Sequence, residues 1–294
     1  MTKRNARLGR DDIRPANGVA WTVKGGRVLG PAPFLVMGIV NVTPDSFSDG
    51  GLSLDPALAL QHALRQIDEG AAIVDMGGES TRPFSDPVTE SEELHRVLPV
   101  IEAILRERPD AAVSVDTYKA GVTSRALEAG ACIVNDVSAC RFEPQLLDVL
   151  VQHKPGYVLM HSQGTPKTMQ VEPHYDDVVA DILDFFEKSL ARLVRAGLPE
   201  DRVVLDPGIG FGKNIEHNLQ LIRKLETFSS LGRPVLMGLS NKSFLGVLTG
   251  QEVGNRGPAT QVATALSHAH GARIHRVHQV AQAVEALVLA EALC

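Results

Sequence analysis

Short apolar runs alternate along this chain with longer stretches in which apolar residues recur every three or four positions. The runs are 34–40, 72–74, 112–115, 132–134, 157–160, 203–205, 235–239 and 274–277. Most are rich in Val, Ile and Leu with little polar alternation, the pattern of a strand buried on both faces in a parallel sheet. The segments between them read as helices. Residues 56–69 carry Leu58, Leu64 and Ile67 and stop at Gly70. Residues 91–106 carry Leu94, Val97, Leu98, Ile101 and Leu105 on a helical period, and 181–196 carry Ile182, Phe185, Phe186, Leu190 and Leu193 before Gly197. Eight strands alternating with helices predict a (β/α)8 TIM barrel, with a doubly wound open sheet as the alternative that periodicity leaves open. Upstream, Trp21-Thr22-Val23 and Arg27-Val28-Leu29 flank Gly25-Gly26 and predict a short N-terminal hairpin. Residues 1–20 read as a flexible leader and 21–294 as one domain.

Each run ends in a polar residue. The ends supply Asn41, Asp75, Asp116, Asn135 with Asp136, His161, Asp206, Ser240-Asn241-Lys242, and Arg276 with His278. In a parallel barrel all strand ends lie on one face, where active sites sit. A single polar strand end often only satisfies loop backbone. Eight in succession predict a mouth holding carboxylates, amides and cations together.

The connections after these ends add candidate chemistry. Asp206-Pro207-Gly208-Ile209-Gly210-Phe211-Gly212-Lys213 is Gly-rich, but it is neither a P-loop nor G-x-G-x-x-G. Its glycines let the backbone turn sharply and approach a flat ligand, although an ordinary βα loop reads similarly. The long polar connection after Asn41 offers Asn41 and Asp45 as hard oxygen ligands for Mg²⁺. Arg82, in Gly77-Gly78-Glu79-Ser80-Thr81-Arg82-Pro83, suits an anionic partner. Asp116, Asn135 and Asp206 can accept from a flat nitrogen heterocycle, while Lys242, Arg276 and His278, with Mg²⁺, can neutralise a leaving diphosphate. No H-E-x-x-H, G-x-S-x-G or catalytic-cysteine motif is present.

Composition narrows the classes. The formal net charge is −6 and 22% of residues are charged, which argues against general nucleic-acid binding and against disorder. No apolar run reaches the ~20 residues of a membrane span. Cys132, Cys140 and Cys294 form no C-x-x-C pair and read as reduced thiols in a cytoplasmic protein.

Residues 37–51, Met37-Gly38-Ile39-Val40-Asn41-Val42-Thr43-Pro44-Asp45-Ser46-Phe47-Ser48-Asp49-Gly50-Gly51, resemble the first signature of the dihydropteroate synthases, and Gly77 to Pro83 resemble the second. Ser114-Val115-Asp116-Thr117-Tyr118-Lys119, Asn135-Asp136-Val137-Ser138, the stretch 163–170, the Gly-rich loop and Lys242-Ser243-Phe244 follow in family order. The resemblance covers about residues 34–292. It implies a homodimeric barrel acting in folate synthesis, a sulfonamide target that joins a dihydropterin diphosphate to 4-aminobenzoate. Asp116, Asn135, Asp206 and Lys242 would hold the pterin, with Phe211 lining its pocket. Asn41, Arg276 and His278 would bind the diphosphate, with Mg²⁺ at Asn41. Phe47, Thr81, Pro83 and Ser243 would shape the 4-aminobenzoate site. Asp116, Lys242 and Arg276 would carry the chemistry, by an SN1-like route with no covalent enzyme nucleophile. The chain departs from the family pattern at Asn241, Gln279, Phe84 and Ser162. A methyltetrahydrofolate-binding methyltransferase barrel and a non-catalytic pterin-binding paralogue are the competing readings.

Overall fold

A computed structural model describes residues 18–43, 56–80, 85–164, 169 and 173–293. The hairpin pairs β1 (Val19–Thr22) antiparallel with β2 (Val28–Ala32), Trp21 opposite Leu29 and Thr22 opposite Val28. The eight runs become β3 (Leu35–Asn41), β4 (Ile73–Gly77), β5 (Val113–Asp116), β6 (Ile133–Asp136), β7 (Gly156–Met160), β8 (Val203–Asp206), β9 (Leu236–Met237) and β10 (Ile274–Val277). They pair in parallel in the order β8-β7-β6-β5-β4-β3-β10-β9. A parallel bridge between Leu205 and Val235 joins the two outermost members. The sheet therefore wraps round on itself, whereas a doubly wound sheet would leave two free edges.

Helices cover the outside: α1 (Pro56–Asp68), α2 (Glu90–Glu107), α3 (Ala120–Glu128), α4 (Leu146–His153), α5 (Val178–Ala196), α6 (Ile215–Arg223), α7 (Ser243–Thr249), α8 (Gly257–Ala269) and α9 (Val280–Leu293). Their starts are set locally. Thr89 accepts from Glu92 N ahead of α2, and Asp177 accepts from Val179 N and Ala180 N ahead of α5, each satisfying amides that the helix cannot. This cap starts α5 at Val178, three residues before the start expected above, so that Val178 and Val179 join Ile182 and Phe186 on the buried face.

Side chains alternate across each strand, and that alternation sorts two cores. Outward residues such as Val74, Val115, Val134, Leu159 and Leu205 pack with Ile101, Leu127, Phe186 and Phe228 from the helical layer. Inward residues Leu35, Met37, Ile73, Ile133, Val158, Val204, Leu236 and Ile274 fill the lower barrel together with Val19, Trp21 and Val23 of the hairpin. The hairpin is thus a plug for the N-terminal end of the barrel. Trp21 is fully buried, and its indole Nε1 donates to Arg202 O at 2.7 Å. A Cβ at Gly156 would come within 3.1 Å of the Trp21 ring, so the first residue of β7 leaves room for the plug.

Candidate active site

Above that apolar layer, the inward positions on β4, β5, β6, β8 and β10 are polar, whereas β3 and β7 present Ile39 and Met160. Asp75, Asp116, Asn135 and Arg276 converge there from β4, β5, β6 and β10. Arg276 Nε donates to Asp75 Oδ2 and Nη2 donates to Asp116 Oδ2, both at 2.6 Å. Asn135 Nδ2 donates to the same Asp75 oxygen at 3.0 Å. The remaining oxygens, Asp75 Oδ1 and Asp116 Oδ1, are buried and have no hydrogen-bond partner among the described residues. Buried acceptors of this kind are costly unless a ligand donates to them. Burial pushes the Asp116 carboxyl up to about 7 against the pull of Arg276, and Asp75 pushes it the same way. Burial opposes the charge on Arg276, but Asp75 and Asp116 outweigh it and hold the guanidinium protonated.

A second group forms on β8 and its loop. Asp206 Oδ1 accepts from Gly208 N at 2.7 Å, and burial raises its carboxyl against that bond and the nearby Lys242 and Lys213. Gly208 has φ +69°, and a Cβ there would lie 1.9 Å from His161 O, so only glycine lets this loop cross the end of β7. Lys242 Nζ stands 4.3 Å from the centroid of the Phe211 ring, a cation–π contact. Burial lowers the Lys242 ammonium to about 8, with Asp206 opposing and Arg276 assisting. Lys213 is buried beneath the loop. It donates to Phe211 O at 3.0 Å and meets His161 Nδ1 at 3.0 Å. Burial lowers Lys213 to about 7 and, with the adjacent Lys213 charge, His161 to about 2, so the imidazole is a neutral acceptor.

The rim holds the remaining candidates. A methyl group at Gly77 would lie 3.5 Å from Asn41 Oδ1 and 3.9 Å from Asp116 Oδ2, so the Asn41 amide opens onto the same space as Asp116. His278 Nδ1 meets Ser240 Oγ at 2.9 Å, which ties the ends of β9 and β10 together. Ser243 is exposed at the start of α7, directly after Lys242. Asn241 adopts a left-handed conformation, φ 57°, which asparagine tolerates better than most residues. Its carbonyl accepts from Arg256 Nη1 at 3.0 Å. Gln279 is exposed and lies against Gly257. Ser162 is held by Arg141 Nη2, which donates to its carbonyl at 2.6 Å and its hydroxyl at 2.8 Å. Asp45, Phe47, Thr81, Arg82, Pro83 and Phe84 lie outside the described residues.

Asp136, read above as part of the mouth, does not join it. Being next to inward Asn135, it points outward, where it accepts from Tyr157 OH at 2.9 Å and from Ser138 N and Cys140 N at 2.7 and 2.6 Å. It braces the loop after β6. Cys132 and Cys140 are free thiols that precede and follow that strand.

Three contributors lie outside the residues assigned a binding role from the sequence. Asp75 joins Arg276 to Asn135, and its only sequence signal is its position at a strand end. Lys213 has the signal of closing a Gly-rich loop, but its burial is a tertiary property. Lys119 ion-pairs with Glu79, at 2.6 Å, and with Glu93. Tyr118 OH also donates to Glu79, at 3.0 Å. This buried cluster pins the loop after β4 to α2 and α3.

The family model of pterin binding enzymes matches residues 37–278. The dihydropteroate synthase of Haemophilus influenzae is 44% identical over 246 residues, which is 84% of this chain and 89% of that protein. A crystal structure of the Yersinia pestis dihydropteroate synthase with a sulfonamide drug complex superposes with a TM-score of 0.87 at 43% identity, covering 93% of this chain and 98% of that one. The Xanthomonas albilineans dihydropteroate synthase with 4-aminobenzoic acid superposes with a TM-score of 0.86 at 43% identity, with the same coverage. A barrel whose mouth sets paired carboxylates, an amide and three cations around one pocket thus meets sequence identity across nearly its whole length, and the chain belongs to the dihydropteroate synthase family of pterin-binding enzymes.

Proposed function

We infer that this pocket runs the dihydropteroate synthase reaction with the following division of labour. The enzyme joins the methylene carbon of (7,8-dihydropterin-6-yl)methyl diphosphate to the amino nitrogen of 4-aminobenzoate, giving 7,8-dihydropteroate and pyrophosphate. The observation that carries the assignment of roles is the inward ring of acceptors, in which Asp116 Oδ1 is buried with no hydrogen-bond partner among the described residues. A pterin edge offers ring N–H and amino donors to such atoms. Asp116, Asn135 and Asp206 take those donors, Lys242 donates to a ring acceptor, and Phe211 covers a face. The C–O bond to the diphosphate breaks first, and its electron pair leaves with pyrophosphate. Asp116 stabilises the cationic methylene that remains. The aryl amine then attacks, and its proton passes to solvent. No covalent enzyme intermediate is involved; positioning and electrostatics supply the rate.

Arg276 and His278 receive the diphosphate. Arg276 is drawn to two carboxylates in the free pocket, so the anion competes with Asp116 for it. Mg²⁺ fits this rim. Among the described residues no group of three His, Cys, Asp or Glu could hold a metal ion by itself. Mg²⁺ needs only one or two protein oxygens when phosphate and water complete its shell. Asn41 would hold it through its amide oxygen. Bound there, Mg²⁺ supplies positive charge for the departing pyrophosphate. Ser243 would serve the 4-aminobenzoate, the role that the family resemblance also gives Phe47, Thr81 and Pro83, which like Arg82 lie outside the described residues.

We also propose a homodimer. Val247, Leu248, Val262, Leu266, Val288 and Leu289 expose apolar surface on α7, α8 and α9, and α8 packs against both of the others. Exposed apolar side chains gathered on neighbouring helices are characteristic of an association face. Light scattering of Val262→Glu with Leu266→Glu, giving half the native mass, is the expected result. A cytoplasmic setting is supported by the free thiols Cys132 and Cys140.

The deciding experiment is release of pyrophosphate, which is expected only when both substrates are present. A methyltetrahydrofolate carrier or a silent pterin-binding paralogue would release none. Asp206→Asn removes a charge-assisted acceptor and is expected to weaken pterin binding by about 1.5–3 kcal/mol. Unchanged affinity by calorimetry overturns that residue's role.

A further inference from the structure

Asp75 is fully buried, and no part of the reaction scheme above uses it. Its partners make it unusual. One oxygen, Oδ2, accepts from Arg276 Nε at 2.6 Å and from Asn135 Nδ2 at 3.0 Å. Those two donors come from strands on opposite sides of β4 in the barrel order: β6 lies two places one way and β10 two places the other. They also serve opposite ends of the substrate, Asn135 the pterin and Arg276 the diphosphate. A carboxylate that fixes both donors sets the distance between the two subsites.

The charge of Asp75 matters as well as its reach. Arg276 bridges Asp75 and Asp116, using Nε for one and Nη2 for the other. When a substrate draws on Asp116, a guanidinium held only by Asp116 would lose its sole counter-ion and its orientation. With Asp75 in place, Arg276 keeps a buried, charge-assisted partner and stays aimed while Asp116 turns to the reacting methylene. The planar guanidinium suits this sharing, because its donors lie in a fixed fork.

We propose that Asp75 is a positioning residue of the reaction: it aligns the pterin subsite with the diphosphate subsite through Asn135 and Arg276, and it holds Arg276 when Asp116 engages the substrate. The inference rests on the assignment of Asn135 and Arg276 given under the proposed function. If the unsubstituted enzyme releases no pyrophosphate, that assignment falls first; if it does and the test below fails, only Asp75 is at issue.

The test compares Asp75→Asn with Asn135→Ala and Arg276→Ala. Binding of a pterin lacking phosphate and binding of inorganic pyrophosphate with Mg²⁺ are each measured by calorimetry, alongside steady-state rates. Asn135→Ala is expected to weaken the pterin alone, and Arg276→Ala pyrophosphate alone. Asp75→Asn is expected to weaken both by about five-fold or more and to lower kcat by about ten-fold or more, while KM for 4-aminobenzoate stays within about two-fold. A structural defect would move that KM too. Should Asp75→Asn fail to fold, Asp75→Ser is measured in its place. Loss of only one ligand's binding, an equal rise in KM for 4-aminobenzoate, or failure of both variants to fold overturns the proposal.

Discussion

Lys242 stands over the face of Phe211, its Nζ 4.3 Å from the ring centroid. The two residues lie on loops after different strands, β9 and β8. Their contact holds an ammonium in a protein-walled pocket that lowers it to about 8. An unfolded chain keeps a lysine protonated up to about 10.4. Below about pH 8 both states are charged, and the fold carries the full cost of burying that charge. As the pH rises from about 8 to 10, the unfolded chain holds the extra proton, so the cost fades and stability rises. Lys242→Met is therefore expected to melt roughly 2–4 °C higher than the unsubstituted protein at pH 7, the shift that about 1 kcal/mol produces. The gain should vanish near pH 10, and pterin binding should be lost at both. Thermal melts at the two pH values check this. A lower melting temperature at pH 7 would show that Lys242 is a net stabiliser.

Gly208→Ala is expected to displace the Asp206–Lys213 loop. The new Cβ would meet His161 O at 1.9 Å, and the residue would have to keep φ +69°. The left-handed conformation alone costs about 1–2 kcal/mol, and the clash adds to it. Pterin affinity should fall even though position 208 bears no binding group. Calorimetry with a pterin ligand, set beside a thermal melt, decides the point; native affinity would mean that the loop adapts.

Removing the Lys119 ammonium should cost far more than removing an exposed lysine. It pairs with Glu79 and Glu93, and all three side chains are about nine-tenths buried or more. Burial already raises the Glu93 carboxyl against the hydrogen bond from Lys119. Lys119→Met leaves two uncompensated carboxylates and is expected to lose about 3–5 kcal/mol. Adding Glu93→Gln to that variant should recover part of the loss. Denaturant melts of the single and double variants measure both, and no recovery would place the cost elsewhere.

At the other end of the barrel, Trp21→Ala empties the plug. The indole is fully buried among inward residues of the strands and donates to Arg202 O. The expected loss is about 3–5 kcal/mol, the range for a buried aromatic truncated to alanine. Pyrophosphate release at low temperature should persist, because the plug lies below the reacting layer. Denaturant melts followed by circular dichroism give the stability, and an assay at 10 °C gives the activity. A stable but inactive variant would contradict this separation.

How much of this was readable beforehand differs from residue to residue. Asp116, Asn135, Asp206, Lys242 and Arg276 were legible because each closes an apolar run, and a parallel sheet gathers such ends on one face. Asp136 shows the limit of that rule. It also closes a run, yet it faces the helical layer, because one position along a strand reverses the side chain. The Asp75–Arg276 pair spans 201 residues of sequence, and the partners of Lys119 lie 26 and 40 residues away. No local periodicity encodes such separations. The start of α5 is a local matter: Val178 and Val179 fall on the same apolar period as Ile182 and Phe186, and the Asp177 cap fixes where that period becomes helix.

The sequence by itself determined the order of strands and helices, the N-terminal hairpin, the family and most of the side chains at the mouth. These depend on local burial patterns and on residue types that follow one another in the chain. Tertiary structure alone decided that the hairpin plugs the barrel, that Asp136 turns away, and that Arg276 is shared between Asp75 and Asp116. It also made Lys213, His161 and Lys242 unusual by surrounding them with protein. Those outcomes depend on strand register and barrel closure, which bring together groups far apart in sequence and exclude the water that would otherwise screen them.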